Sequence, residues 1–320
     1  VRWPQKNQLQ SSFNCVEKNR DVLGRENKKT GISRRTLLIG VSAVAGATLG
    51  GVIAHRAFSP KETKTDFPKK TPTLSPEKIP TSIDRVHAEI EHARILLSSK
   101  DPLDVLKSTH LVSALYYSDR FLASILKSSD TPDESHEIVR GIVPHITTDV
   151  RRRYVEALSK EAYRAFGERS EEKRSLPFPK LDFGRGDNHP DAVDIFAREG
   201  TKIASVRRGV VVLAESGWTE KNPYLGTSPR GGNTAIVFNQ DSKQFYRYAH
   251  LDRVSIRTGE VIGAGHSIGT VGRTGINAFQ NRSASHVHLE INAYTPATQG
   301  MRSLSSHEVK QEIQKINSNS

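Results

Sequence analysis

The chain has 320 residues, a formal net charge of +12 and a hydrophobic fraction of 35%. That length allows one or two domains with a sizeable core. The single cysteine, Cys15, excludes a disulfide framework and a cysteine zinc ribbon, and the absence of a basic stripe interleaved with aromatics argues against nucleic acid as a partner.

Ten basic and three acidic residues precede Phe58, so more than half of the charge excess lies there, flanking a membrane-targeting segment. Within residues 33–58, "SRRTLLIGVSAVAGATLGGVIAHRAF", Arg34 and Arg35 stand before an uncharged apolar run, 37–54. A charged region followed by a hydrophobic one has the form of a secretory signal. Ser-Arg-Arg, one residue, then Leu37 and Leu38 resembles a twin-arginine signal, with Ile39 where the usual lysine stands. "VIA" at 52–54 is a passable cleavage site. The run is also about long enough for an uncleaved single-span anchor, with Lys28, Lys29, Arg34 and Arg35 holding the N-terminus inside. On either reading, residues 1–58 attach the chain to a membrane or carry it across, and the remainder lies outside the cytoplasm.

Residues 59–82, rich in Pro, Lys and Thr, read as a semi-extended linker. Residues 83–173 read as helical. Ile83, Val86, Ile90, Ala93 and Leu97 recur at helical spacing, and Thr131, Pro132, Asp133 and Glu134 form a helix start. His87 and His92, five apart, do not share a helix face and are expected at the surface. This region shows no chemistry of its own and is expected to be a spacer, a partner surface or a cover.

From residue 174 the texture changes to short β-branched runs between glycine turns. "AVDIFA", "IASVRRGVVVLAES", "NTAIVFNQ", "FYRYAHL" and "HVHLEINAY" each read as strands. The glycines of residues 258–275 suit tight hairpins. The expected fold is therefore all-β and antiparallel, a small sandwich or barrel with a groove, over 174–295. It follows the helical region and precedes a polar tail, 296–320, with a short helix. Residues 217–232 form a long loop with Trp218 and Tyr224, candidates for a groove wall.

Histidines sit at the strand edges. Alternation in "HVHLE" puts His286, His288 and Glu290 on one face, with Val287 and Leu289 on the other. His189 precedes the strand carrying Asp194, and His250 lies near the end of the strand in which Tyr246 and Tyr248 share its face by period two. A catalytic zinc needs three N or O protein ligands and one open position. His189, Asp194 and one histidine of the last pair would supply them.

These residues carry a family resemblance. His189 with Asp194 and Gly200-Thr201, "YAHL" at 248–251, "GEVIGAGHSIGTVGRTG" and "HVHLE" occur in the order found in the lysostaphin-type, or LytM, zinc metallopeptidases of the bacterial cell wall. The resemblance implies zinc ligands at His189, Asp194 and His288, a general base at His286 and a transition-state-stabilising histidine at His250. It implies cleavage of peptide bonds in peptidoglycan stems or cross-bridges. Glu290 is either the group that orients an imidazole from behind or a solvated residue of that face. The alternative is a non-catalytic LytM module that binds wall and activates or positions another hydrolase; such domains lose several of the five positions, and this chain keeps all five. A lipoyl-type carrier shares the glycine texture but needs an exposed lysine in a turn, and that stretch has none. The family usually spaces its first His and Asp by four, whereas five separate them here, and Asn239 stands where a histidine often ends the strand. Pro190 accounts for the first difference. It biases His189 toward an extended loop, so the strand is expected to begin near Ala192, with Val193 and Ile195 inward, Asp194 toward the groove and Asp191 in solvent.

Overall fold

The computed structural model describes residues 82–127, 134–167, 174–184, 189–223, 226–280 and 283–315. The signal or anchor, the linker, the helix start at 131–133 and Tyr224 lie outside the described residues. No helix among the described residues is long and apolar enough to cross a membrane.

The helical region comprises α1 (Ser82–Ser98), a 3₁₀ turn (Pro102–Lys107), α2 (Thr109–Tyr116), α3 (Asp119–Lys127), α4 (Glu134–Ile142) and α5 (Thr148–Phe166). Local chemistry sets its boundaries. Ser108 caps α2 by accepting from Leu111 N, and Thr147 caps α5 by accepting from Val150 N. Gly167, at φ 74°, ends α5 in a conformation that disfavours a Cβ. On α1, Val86, Ala93 and Leu96 are buried, while Ile83 is 65% exposed. The periodicity thus locates the buried face but overreaches by one turn at its start.

The β region is an antiparallel sheet built from β1 (Ala192–Phe196), β2 (Lys202–Ala204), β3 (Gly209–Glu215), β4 (Asn233–Asn239), β5 (Gln244–Val254), β6 (Val261–Ile262), β7 (Ser267–Val271), β8 (His286–Thr295) and β9 (Gly300–Ser303). Its main path runs β1-β8-β5-β4-β3-β6; β7 pairs with β2 and β5, and β9 pairs with β8. Two short helices, α6 (Ile276–Gln280) and α7 (Ser306–Gln314), complete it.

Two cores result. One face of the sheet offers Val193, Ile195, Val211, Val237, Tyr246, Tyr248, Leu289 and Ile291, covered by Phe178, Ile203, Ile268, Val309 and Ile313. On the other face, Val210, Val212, Ile236, Phe238 and Phe245 pack against helical Leu111, Leu115, Tyr116, Ile142 and Leu158. β4 is buried along its whole length because both of its faces are covered.

Two expectations change. The run read as one strand, "IASVRRGVVVLAES", divides into β2 and β3, because the two halves have different neighbours, β7 for one and β4 with β6 for the other. At the break, Arg207 is buried and pairs with Glu312 and the Tyr246 hydroxyl. The stretch after Pro296 carries the expected short helix, but its described residues, 297–315, pack onto the sheet instead of forming a tail. β9 extends the sheet, and α7 starts with a Ser305–Glu308 capping box and buries Val309 and Ile313 at i, i+4 spacing.

Candidate metal centre and groove

β1 begins at Ala192, Val193 and Ile195 are core residues, and Asp191 is exposed, as the spacing around Pro190 predicts. Register brings the cluster together. Asp194 faces His288 across the β1–β8 pair, and Phe196 faces His286. Arg247 faces Glu290, and Ala249 faces His288, across the β5–β8 pair. His189 reaches in from the loop, its Nε2 3.3 Å from Asp194 Oδ2.

His250 departs from the expected parity. Tyr246 and Tyr248 point into the core beneath the site. Period two would send His250 after them. Instead His250 has φ 61°, in the left-handed region that non-glycine residues seldom occupy. The β4–β5 register also shifts between Tyr248 and Leu251. The two together turn the imidazole onto the other face, where its ring centroid lies 4.9 Å from that of His286 and 5.8 Å from that of His288. The distortion is held by His250 N donating to Gly231 O at 2.8 Å and His250 Nδ1 to Thr274 O at 2.7 Å. It needs two loops in near contact. A Cβ on Gly232 would lie 2.3 Å from Gly275 N, and one on Gly275 2.4 Å from Arg230 O; both glycines have positive φ.

The imidazoles are oriented from behind. His286 Nδ1 donates to Ala284 O at 2.7 Å, which leaves the lone pair on Nε2, 3.8 Å from Asp194 Oδ1. His288 Nε2 lies 3.0 Å from Glu290 Oε1, and its Nδ1 lies 2.8 Å from Asp194 Oδ1. Glu290 Oε1 also accepts from Arg247 Nη1 at 2.6 Å, and Oε2 accepts from the Tyr116 hydroxyl at 2.9 Å. Glu290, half-buried at the cavity wall, is thus the hub of a network that reaches the buried Arg247 and Tyr116.

Electrostatics follow from this packing. Burial alone would lower the pKa of His288, but the hydrogen bonds to Asp194 and Glu290 outweigh it and raise it to about 9. Burial would raise Asp194, and its bonds with His189 and His288 outweigh it and hold the carboxyl well below its usual range. Burial, then the neighbouring His288 and His286, push His250 down to about 3, so it is neutral. Burial, then the charge of Glu290, push the Tyr116 phenol well above its usual range, so its hydroxyl stays a donor.

The donor set fits a zinc ion. One atom each from His189, Asp194 and His288 lies within 4.8 Å of the others, and two imidazoles with one carboxylate form a ligand set of the catalytic zinc type. Glu290 occupies Nε2 of His288 and leaves Nδ1 toward Asp194 and His189. These residues open on a cavity of about 540 Å³ lined also by Arg230, Arg247, His250, His286 and, from the helical region, Tyr117, Ser118 and Phe121. Trp218 is not in that lining; its indole donates to Pro223 O at 2.9 Å and stacks edge-on against Phe279. A helical region expected to carry no chemistry therefore supplies one wall of the groove and one hydrogen bond to the hub. The sequence signal was slight, since "LYYSDRF" reads as an ordinary helix end.

Residues 188–300 match peptidase family M23. That stretch contains all five expected site residues and none of the helical region. The glycyl-glycine endopeptidase ALE-1 of Staphylococcus capitis is 30% identical over 105 residues, 33% of this chain and 25% of that protein. The murein hydrolase activator NlpD of Salmonella dublin is 27% identical over 110 residues, 34% of this chain and 25% of that protein. The chain spans about a quarter of the length of either relative. Among solved structures, the catalytic domain of lysostaphin from Staphylococcus simulans matches with 22% identity and a TM-score of 0.28, over 41% of this chain and 88% of that domain. Residues 188–300 thus resemble both a peptidase and an activator, and the choice between them falls on the site.

Proposed function

We propose that the protein is a zinc-dependent endopeptidase that cleaves peptide bonds in peptidoglycan stems or cross-bridges, outside the cytoplasm. The observation that carries this reading is convergence: His189, Asp194 and His288 offer a metal site, and His286 and His250 stand beside it in one groove. Zinc, when bound, supplies a Lewis acid for the scissile carbonyl and a water of lowered pKa. His189, Asp194 and His288 would hold the ion. His286, with Nδ1 committed to Ala284, presents Nε2 as the base that takes the proton from the attacking water and later delivers it to the leaving amine. His250, with Nδ1 committed to Thr274, has no hydrogen on Nε2 while neutral. It stabilises an oxyanion only once Nε2 has taken a proton from solvent in the groove, an uptake that the negative charge growing beside it favours.

The match to an activator favours a second reading, a wall-binding module that switches on another hydrolase. The purified chain is incubated with peptidoglycan with and without a chelator, and released fragments are read by mass spectrometry. New amino termini that vanish with the chelator support the peptidase. Wall binding without cleavage sinks it and supports the activator.

In this reading residues 1–58 export or anchor the chain, 59–82 link, 83–173 cover and 174–295 carry the metallopeptidase, while within the C-terminal 296–320 the described residues to 315 close its edge. Replacing Arg34 and Arg35 by Lys keeps the charge but removes the arginine pair. Export is expected to stop in a fractionation assay, and undiminished export would overturn the twin-arginine route.

A further inference from the structure

The hydroxyl of Tyr116, the last residue of α2, reaches across from the helical region to Glu290 Oε2 at 2.9 Å. Tyr116 is 1% exposed, and its ring is fixed edge-on against Phe245 at 6.4 Å and tilted against Tyr117 at 5.9 Å. The hydroxyl therefore has one place to be. The other oxygen of Glu290 already serves Arg247 Nη1 and His288 Nε2, and Arg247 is itself held by Ser228 Oγ at 2.7 Å. A carboxylate gripped at one oxygen can still rotate about its last bond. Gripped at both, it cannot, and the imidazole behind which it stands is fixed with it.

We propose that Tyr116 is a positioning residue of the metal centre, acting through Glu290 to hold His288 with Nδ1 turned toward Asp194 and His189. The inference rests on the metal-site reading above and deepens it: the centre extends beyond residues 188–300, and the helical region is part of it rather than a lid beside it. Groups that orient a ligating histidine through its second ring nitrogen commonly change metal affinity about 10–100-fold when lost, because the ligand then has to be ordered at the moment of binding.

The test uses the full chain and zinc itself, with affinity measured by competition against a chromophoric chelator and folding monitored by near-ultraviolet circular dichroism of the metal-free form. Tyr116→Phe removes one oxygen and keeps the ring. It is expected to weaken zinc by about tenfold. Ser159→Ala breaks another hydrogen bond between the same two regions, to Lys243 Nζ at 2.7 Å, and is expected to leave zinc affinity unchanged. Adding Tyr116→Phe to Glu290→Gln is expected to cost much less than Tyr116→Phe alone, the non-additivity of two residues acting as one unit. Zinc bound as tightly by Tyr116→Phe as by the parent overturns the inference. So does an equal loss in both backgrounds, or an equal loss in Ser159→Ala, since either assigns the effect to the fold. If Tyr116→Phe does not fold, Glu290→Gln decides, and unchanged affinity there overturns the proposal. A parent chain that takes up no zinc overturns the metal-site reading itself, an outcome distinct from all of these.

Discussion

The two faces of the sheet are built on opposite rules. The face lined by Val193, Tyr246, Tyr248, Leu289 and Ile291 is apolar apart from the Arg207–Glu312 pair on the Tyr246 hydroxyl, and is closed by β2, β7 and α7. The other face changes character along its strands. On β5 it runs from Phe245, under the helices, to Arg247 and Ala249. On β8 it runs from Asn292 through Glu290 to His288 and His286. Helices cover the apolar end and meet the polar end at Tyr116, beyond which Tyr117, Ser118 and Phe121 only wall the groove. A face that stays apolar along its strands can only be a core, whereas one that changes midway can be part core and part site, and the boundary is where a covering element acquires a chemical role.

The severest way to break that comparison is to strip the cover. A chain lacking residues 82–167 exposes Val210, Val212, Ile236, Phe238 and Phe245. At about 1.5–3 kcal/mol for each fully buried side chain, the loss matches the ~5–15 kcal/mol stability of a typical domain. Such a chain is expected to aggregate or to lose its near-ultraviolet signal; a monomeric, well-ordered product would show that the sheet does not need the helices.

Within the polar end, His288→Ala is expected to remove zinc and activity together, and His286→Ala to keep zinc while losing about 10²–10⁴-fold in rate. Asp194→Asn is expected to weaken zinc strongly and Asp191→Asn hardly at all. Metal analysis beside a cleavage assay checks all four, and exchanged phenotypes between the two histidines would redraw the centre.

The half-buried charge network sharpens the contrast through pH. In the metal-free protein His288 keeps its proton up to about 9, whereas an unfolded histidine releases it near about 6.5. Its stabilising contribution is therefore complete below about 6.5 and is lost as pH rises through about 9. A metal must displace that proton. Zinc uptake near neutral pH is expected to release a proton from His288, with the release fading above about 9. Calorimetry in buffers of different ionisation heat reads it.

The mildest change falls at the rim. Phe121 lines the cavity and stacks on Tyr117 at 4.3 Å while remaining 42% exposed. Phe121→Ala is expected to raise KM several-fold, leave kcat little changed and shift stability by about 0.5 kcal/mol or less. A fall in kcat with KM unmoved would remove Phe121 from the groove.

What local patterning controls was legible from the amino acids. Period-two alternation placed His286, His288 and Glu290 on one strand face and Asp194 on its neighbour's, and Pro190 marked where β1 starts, because backbone geometry alone governs those relations. What depends on contacts distant in the chain was not. His250 reverses its face through a positive φ that two loops, crossing at Gly232 and Gly275, impose. The stretch after Pro296 gains its role only when β8 and Arg207 are there to pair with it. Tyr116 meets Glu290 across 174 positions of sequence. No periodicity encodes such a meeting, because it is decided by how a helix layer settles on a sheet: the apolar residues specify that the two must pack, and only the packing specifies which hydroxyl arrives at which carboxylate.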